Sequence, residues 1–359
     1  MMPAPQIRQG AVSGHVKRPV RNKLISLTVV ALVASCTVVA PAAGGSSRLV
    51  GAGSTLVGPL VVEWGVTFQA FHDTAVSYDE VGSQAGINDV TSRSVDFAAS
   101  DAPLTSAQAS ACNRCYQVPW SLSAVGIGYH IHGVGYGLYL TGPVLAEIYL
   151  GQVTRWNDFR IKALNPRVPL PALKITPIST PSAGETYPFT TYLSKVSATW
   201  RARVGSGLTV SFPAGESVNS DSAATSVLKA TDGAIAYVGT PYLVANGLPA
   251  AGIENDAGRF EFPNLTEIET AAKTIKRVPA NNALQIVDPP SSARIAYPIS
   301  SFTYAIVPAN ASQKSTLGQW LSYALGLGQR LGPRLGYAAL PPVVLRASKA
   351  AVHAFSSSP

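Results

Sequence analysis

The sequence predicts an α/β protein with a mostly parallel β-sheet, and three observations support this prediction. Residues 49–101 alternate strand-like and helix-like runs, and each strand-like run ends in a turn. The 31 Gly and 27 Pro residues supply many turns, which suits alternating strands and helices better than a helical bundle. A hydrophobic share of 47% argues against disorder, and 359 residues suggest two domains of roughly 150 residues each.

Each element has its own local signal. In the first part we predict a strand and Gly-rich turn at 49–56, a helix at 59–71, a strand at 76–81, a turn at 82–86 that opens a helix at 87–92, and a strand at 95–99. Farther along we predict strands near 124–132, at 233–238 and at 297–307, and helices within 145–158, 189–200 and 317–327. The sequence shows no internal repeat.

The N-terminus has the pattern of a secretory signal peptide, because a basic stretch precedes a short apolar run and small residues. The segment Val33–Cys36 (VASC) resembles the lipobox of bacterial lipoproteins, in which the Cys thiol takes a diacylglycerol. We therefore expect a lipoprotein signal peptide at 1–36, lipidation of Cys36 and a flexible tether at 37–48. The alternative is an uncleaved membrane anchor, which Pro41 and the short apolar length weaken. Either reading places the folded part outside the cytoplasm.

Most of the net charge of +8 belongs to this leader, which carries Arg8, Lys17, Arg18, Arg21 and Lys23 without an acidic residue. The remainder has 22 basic against 19 acidic residues. Since no basic run with interleaved aromatic residues follows, the charge gives no reason to expect nucleic-acid binding.

Cys112 and Cys115 form a Cys-x-x-Cys pair in a polar stretch before Pro119. A redox motif normally follows a strand and opens a helix. Because that context is missing and the compartment is oxidising, we predict a small structural disulfide. Three Cys residues are too few for a four-thiolate zinc site, and we predict no metal site.

Polar residues follow each of the first three predicted strands: Thr55, Ser83 and Asp101. In α/β sheets, ligands bind beyond the carboxyl ends of the strands, and helix N-termini there favour anions. A carboxylate such as Asp101 suits an anion that carries a proton, because it can accept a hydrogen bond from that proton. The alternatives are helix capping by Thr55 and Ser83 and a turn role for Asp101 before Pro103.

A set of motifs then carries a family resemblance. The motifs are Gly51–Thr55 (GAGST), Gly82–Ser83 (GS), Ala99–Leu104 (ASDAPL), Ile148–Gly151 (IYLG) with Arg155–Asp158 (RWND), Gly233–Ile235 (GAI) with Tyr237–Val238 (YV), and Tyr297–Ser300 (YPIS). Together they resemble the phosphate-binding protein of the high-affinity phosphate ABC importer, over about 49–355.

The resemblance implies a two-lobed periplasmic-binding-protein fold of type II, with mixed sheets and a hinged cleft. One lobe is expected at 49–124 plus 296–359 and the other at 125–295. The expected partners are inorganic phosphate, the ABC permease and ATPase subunits, and the membrane through the lipid anchor. We expect a monomer without a cofactor.

The resemblance also implies roles for single residues. Thr55 and Ser83 would bind phosphate through hydroxyl and backbone, and Asp101 would accept the phosphate proton. Leu56 would contribute only its backbone N–H, because the family usually has Phe there. Gly184 is one of two residues retained in the family's second phosphate loop.

That second loop departs from the family, which reads Arg-Ser-Asp-Gly-Ser-Gly-Thr-Thr. Here the same stretch is STPSAGET, so that Ser179 replaces the Arg, Pro181 its Asp partner, and Ala183 and Glu185 the hydroxyl ligands. A hydrogen bond to a charged group contributes about 1.5–3 kcal/mol, so losing several weakens phosphate binding strongly. Glu185 near the cleft would add repulsion between like charges.

Three functions follow from these observations. The first is a lipid-anchored phosphate-binding protein, and the second is a related scaffold with another ligand or none, acting in sensing or adhesion. The third is an exported enzyme, but the sequence has no Gly-x-Ser-x-Gly, no His-Glu-x-x-His and no dense carboxylate cluster, so we expect no enzyme. Scattered positions for Thr55, Ser83 and Asp101, or Glu185 filling the cleft, would count against phosphate transport.

Overall fold

The computed structural model describes residues 47–358. The predicted signal peptide, Cys36 and most of the tether lie outside the described residues. The strands in the described part are β1 (Ser47–Gly53), β2 (Thr74–Asp79), β3 (Phe97–Ser100), β4 (Cys115–His130), β5 (Tyr139–Leu140), β6 (Thr176–Ser179), β7 (Glu216–Ser217), β8 (Ala234–Gly239), β9 (Gly252–Glu254), β10 (Phe260–Glu261) and β11 (Ser300–Pro308).

Helices alternate with these strands, and most cover the faces of the sheets. They are α1 (Gly58–His72), α2 (Ser83–Ser92), α3 (Ser106–Ala111), α4 (Gly142–Tyr149), α5 (Phe159–Leu164), α6 (Thr186–Val196), α7 (Ala198–Arg203), α8 (Asp221–Ala230), α9 (Thr240–Asn246), α10 (Leu265–Ala272), α11 (Lys314–Ala324) and α12 (Pro342–Ser357). Short 3₁₀ turns at Leu327–Leu331 and Pro333–Leu335 precede α12. No helix among residues 47–358 is long and apolar enough to cross a membrane.

The main sheet has eight strands in the order β2-β1-β3-β11-β4-β8-β6-β7. The 16-residue strand β4 joins its two parts, because its segment before Val125 pairs with β11 and its segment from Val125 pairs with β8. We call β2, β1, β3 and β11 the first half of the sheet, and β8, β6 and β7 the second half. A separate small sheet has the order β10-β9-β5.

The predicted α/β class is confirmed, but the expectation of a mostly parallel sheet is wrong at the centre. The pairs β1–β2, β1–β3, β6–β8 and β6–β7 are parallel, whereas β3–β11, β11–β4 and β4–β8 are antiparallel. Parallel neighbours need a crossover connection. The central strand β11 instead comes from a distant part of the chain, which local alternation in the sequence does not reveal.

Two aromatic clusters fix the helices against the two halves. In the first half, Trp64 of α1 packs edge-on against Trp120 and Trp320, with ring centroids 5.3 and 6.2 Å away. In the second half, Phe189 of α6 stacks on Tyr237 of β8, with ring centroids 4.2 Å apart. Both clusters are buried, so the loops that lead into α1 and α6 are held in place by their cores.

The structure shifts several predicted boundaries. The strand β1 begins at Ser47, inside the predicted tether, because Ser47 and Arg48 pair with Thr74 and Ala75 of β2. The strand predicted near 124–132 begins much earlier, at Cys115. The structure forms the predicted disulfide between Cys112 and Cys115, whose Cα atoms are 5.6 Å apart.

Candidate anion-binding site

The first half of the sheet brings together the polar residues that follow its parallel strands. Ser54 and Thr55 follow β1, Ser83 begins α2 after β2, and Asp101 follows β3. Ser54 Oγ donates to Asp101 Oδ2 at 2.6 Å, and the Asp101 N–H donates to Ser83 Oγ at 3.1 Å. Their convergence follows from the β2-β1-β3 order, which places three carboxyl ends at one edge.

Thr303 adds a second donor to Asp101 from the neighbouring strand β11. Its Oγ1 donates to Asp101 Oδ1 at 2.5 Å, so each carboxylate oxygen accepts one hydroxyl. No motif in the sequence marks Thr303 as a site residue. Only its place on β11, whose Tyr304 pairs with Ser100 of β3, puts it beside the site.

Asp101 is buried among these groups. Burial, and then the neighbouring Glu185 carboxylate, raise the pKa of Asp101 from 3.8 to about 7, against the opposing effect of the Ser54 and Thr303 hydroxyl donors. At neutral pH the side chain is therefore close to half protonated. It can accept or donate a hydrogen bond in the physiological range.

The capping alternatives for Thr55 and Ser83 are wrong. Helix α1 begins at Gly58 and α2 at Ser83, and neither has a side-chain hydrogen bond at its N-cap. Thr55 Oγ1 instead lies 2.8 and 2.9 Å from the two carboxylate oxygens of Glu185, which is fully buried. The Thr55 hydroxyl, which we predicted to bind an anion, thus already contacts a carboxylate of the protein itself.

Glu185 arrives on the loop between β6 and α6, which packs directly on the first half. Gly184 lies so close to Asp101 that a Cβ atom at position 184 would overlap Asp101 Oδ2. A Cβ atom on Gly82, whose φ is +87°, would likewise overlap the carbonyl oxygen of Ser182. The predicted residues Thr55, Ser83, Asp101 and Gly184 therefore meet in one place.

Tyr237 holds this loop in the second half. Its phenol oxygen accepts from the Thr180 N–H at 2.9 Å and lies 3.1 Å from Thr186 Oγ1. Thr186 Oγ1 in turn donates to the Thr180 carbonyl at 2.5 Å. Both ends of the loop are thereby tied to one rigid strand.

Ser179, which stands where the family has Arg, and Leu56, which stands where it has Phe, make contacts within the fold. Ser179 Oγ lies 3.0 Å from Ser217 Oγ and donates to the Glu216 carbonyl. Leu56 is buried, and its carbonyl accepts from Tyr337 Oη at 2.8 Å. These contacts hold the structure together without bringing a charged donor to the site.

Two further carboxyls lie around Glu185, and the sequence did not single them out. Asp221, at the start of α8, is fully buried; it interacts with the Glu185 carboxyl and the Gly239 N–H, and no hydroxyl, amide or cationic side chain among the described residues donates to it. Burial and the Glu185 carboxylate raise the pKa of Asp221 well above its usual range. Glu80 Oε2 accepts from Tyr242 Oη at 2.6 Å, and burial raises its pKa as well.

We call Glu80, Asp101, Glu185 and Asp221 the carboxyl cluster. None of the ion pairs formed within residues 47–358 includes one of its members. In the same described range, no group of three His, Cys, Asp or Glu side chains has a geometry that could hold a metal ion. Asp101, Glu185 and Asp221 are buried, whereas Glu80 is exposed. Buried carboxyls without cations are stable only if some hold protons or share them.

Known proteins share this sequence and fold. The model of the PBP superfamily domain matches residues 39–326. The phosphate-binding protein PstS2 of Mycobacterium bovis is 32% identical over 302 residues, covering 78% of this chain and 80% of that protein. The phosphate-binding protein PstS of Xylella fastidiosa is 29% identical over 306 residues, covering 84% of each.

Among solved structures, a phosphate-binding protein from Stenotrophomonas maltophilia superposes with a TM-score of 0.63 at 17% identity. The superposition covers 85% of this chain and 93% of that one, and it shows a shared fold. The superfamily match and the relative above 30% identity lead to one conclusion: the chain belongs to the PBP superfamily and, within it, to the family of the phosphate-binding proteins PstS.

Proposed function

We propose that this protein is an extracytoplasmic receptor that captures inorganic phosphate between the two halves of its sheet and delivers it to an ABC permease. The observation that carries this proposal is the convergence of Ser54, Thr55 and Ser83 with Asp101 at the edge of the first half. The names of the PstS relatives support the same ligand.

The chemistry of these groups suits a protonated oxyanion. Hydroxyls donate to phosphate oxygens, and the ionised form of Asp101 accepts the proton that phosphate retains at neutral pH. Sulfate has the same shape but carries no proton at this pH, so its oxygens would face the Asp101 carboxylate without a hydrogen bond. The site should therefore prefer phosphate to sulfate.

We propose the predicted lobes as the moving parts: 49–124 with 296–359, and 125–295. The change of partner along β4 supports this division, because β11 ends its pairing at Ala124 and β8 begins at Val125. A rotation about this point of β4 would open the contact between Gly184 and Asp101. Hinge closure of this kind is common around ligands.

The anchor and the partners are proposals of the same kind. The leader motif supports lipidation of Cys36, and the PstS relatives support an ABC permease with its ATPase as the receiving complex. We propose a monomeric receptor without enzymatic activity or a cofactor. Radiolabelled palmitate incorporation that is lost in Cys36→Ala would support the anchor, and equal labelling of both proteins would rule it out.

One observation favours the second candidate, a scaffold with another ligand or none. Glu185 is fully buried and occupies the Thr55 hydroxyl, and the loop around it carries no Arg or Lys. A receptor locked in this arrangement would not admit an anion. Its two halves would stay in contact whether or not phosphate is present.

Isothermal titration of the phosphate-free mature protein separates the two candidates. The proposed receptor binds one phosphate with a dissociation constant below about 1 mM, corresponding to about −4 kcal/mol. It binds sulfate more weakly, and Asp101→Ala removes binding. Absence of heat at several millimolar phosphate, in a folded protein, would favour the scaffold.

A further inference from the structure

The Thr55 hydroxyl is the one predicted phosphate donor that already bonds a charged group. Its partner, Glu185, lies 130 positions away in the sequence and on the opposite half of the sheet. The two oxygens of the carboxylate are nearly equidistant from Thr55 Oγ1, at 2.8 and 2.9 Å. A phosphate bound through this hydroxyl and a carboxylate in that position cannot coexist.

We propose that Glu185 is a tethered competitor of phosphate, a side chain that occupies the anion position and must leave it when phosphate binds. This inference rests on the proposed function and specifies how the same site is regulated. The protein would close on its own carboxylate when phosphate is scarce. It would exchange that carboxylate for phosphate when the concentration rises.

The position of Glu185 in the fold suits an anion. It directly precedes α6, where the unpaired N–H groups of the first helical turn favour negative charge. It is also fully buried, so its carboxylate has no access to solvent. The second half thus places the Glu185 carboxylate beside the Thr55 hydroxyl of the first half.

Asp221 provides an independent observation that points to the same position. It is fully buried at the start of α8, and apart from its interactions with the Glu185 carboxyl and the Gly239 N–H no described side chain donates a hydrogen bond to it. A buried acid without a partner is costly. Departure of Glu185 would leave Asp221 without this carboxyl neighbour, and a phosphate O–H could then donate to Asp221.

The charges around Glu185 explain why we expect phosphate to replace its carboxylate instead of binding beside it. Three carboxyls interact electrostatically with it: Glu80 and Asp101 from the first half, and Asp221 from the second. The other titratable groups that feel its charge are the phenols of Tyr78, Tyr237 and Tyr242. Adding a phosphate to this set would place another anion among acids, whereas exchange keeps the charge nearly constant.

The test compares phosphate affinity of the full mature chain with that of Glu185→Gln, which keeps the shape and removes the charge. Glu185→Thr, which restores the hydroxyl that the family has here, is the second variant in case the first is poorly folded. Glu216→Gln is the matched control, because Glu216 is an exposed acid on the neighbouring strand β7. Isothermal titration at pH 6, 7 and 8 gives the affinities, and circular dichroism verifies the fold.

We expect tenfold or greater tightening in both Glu185 variants, equivalent to about 1.4 kcal/mol, and no change in the control. Binding by the variants while the natural chain gives no heat would show that Glu185 blocks the site permanently, and it would overturn exchange with phosphate. A natural chain that binds phosphate with the same affinity as folded Glu185→Gln would overturn the competitor and leave the proposed function standing. Silence of all variants at several millimolar phosphate would overturn the proposed function, and the competitor with it.

Discussion

Gly184 lies against Asp101 so closely that no side chain at position 184 could be accommodated. The two residues come from opposite halves of the sheet, and we propose that their contact marks the closed arrangement of the cleft. It also explains why a glycine is retained in a loop whose other predicted ligands are replaced. Closure depends on the absence of a Cβ atom at this point.

We therefore expect Gly184→Ala to hold the halves apart. The methyl group would overlap the carboxylate, and overpacking of this kind costs about 1–3 kcal/mol. Small-angle scattering should show a larger radius of gyration, and urea unfolding a lower stability. The control is Gly135→Ala, which meets open space. An unchanged radius in Gly184→Ala would mean that this contact does not govern closure.

The raised pKa of Asp101 predicts how stability depends on pH. Between its ordinary pKa of 3.8 and about 7, the folded protein holds a proton on Asp101 that the unfolded chain has lost. The free energy of unfolding should therefore fall as pH rises across this window, by up to about 4 kcal/mol, and level off above it.

Urea denaturation between pH 4 and 8 measures this slope. Asp101→Asn should make it shallower, because the amide does not titrate while Asp221 and Glu80 still do, and Asp79→Asn, on an exposed strand end, should retain it. Parallel slopes for the natural chain and Asp101→Asn would show that Asp101 is not the group responsible.

Thr303 should influence the pKa of the same carboxyl group, that of Asp101. Its hydroxyl stabilises the ionised form of Asp101, so Thr303→Val should raise the pKa of Asp101 further. At pH 7 the phosphate affinity should fall about tenfold, since a hydrogen bond to a charged group contributes about 1.5–3 kcal/mol. The loss should shrink at pH 8.5. Thr270→Val, on the exposed face of α10, should bind normally, and equal affinities for both variants would exclude this role.

The disulfide should affect stability but not binding. It closes a very short loop between Cys112 and Cys115, and neither of these two residues forms a hydrogen bond to a member of the carboxyl cluster. Replacing both residues with Ser should lower the free energy of unfolding by about 2 kcal/mol, as measured in urea. The phosphate dissociation constant should stay the same. A large loss of binding would indicate that this turn communicates with the cleft.

The site residues on the first half of the sheet could be predicted from the sequence, because the signals for them are local. Thr55, Ser83 and Asp101 each follow a strand within one stretch of alternating strands and helices, and parallel strands bring their ends together. Thr303 and Asp221 escaped prediction because they reach the site through pairing and packing of distant segments. Glu185 was predicted to repel an anion, and it does raise the pKa of Asp101, but its hydrogen bond to Thr55 depends on closure of the two halves.

A crystal structure of the mature protein grown with millimolar phosphate tests the central claim most directly. The account predicts a phosphate within hydrogen-bond distance of Thr55 Oγ1 and an Asp101 oxygen, with the Glu185 side chain turned away from Thr55. A structure in which Glu185 still contacts Thr55 and no phosphate lies beside Asp101 would contradict it.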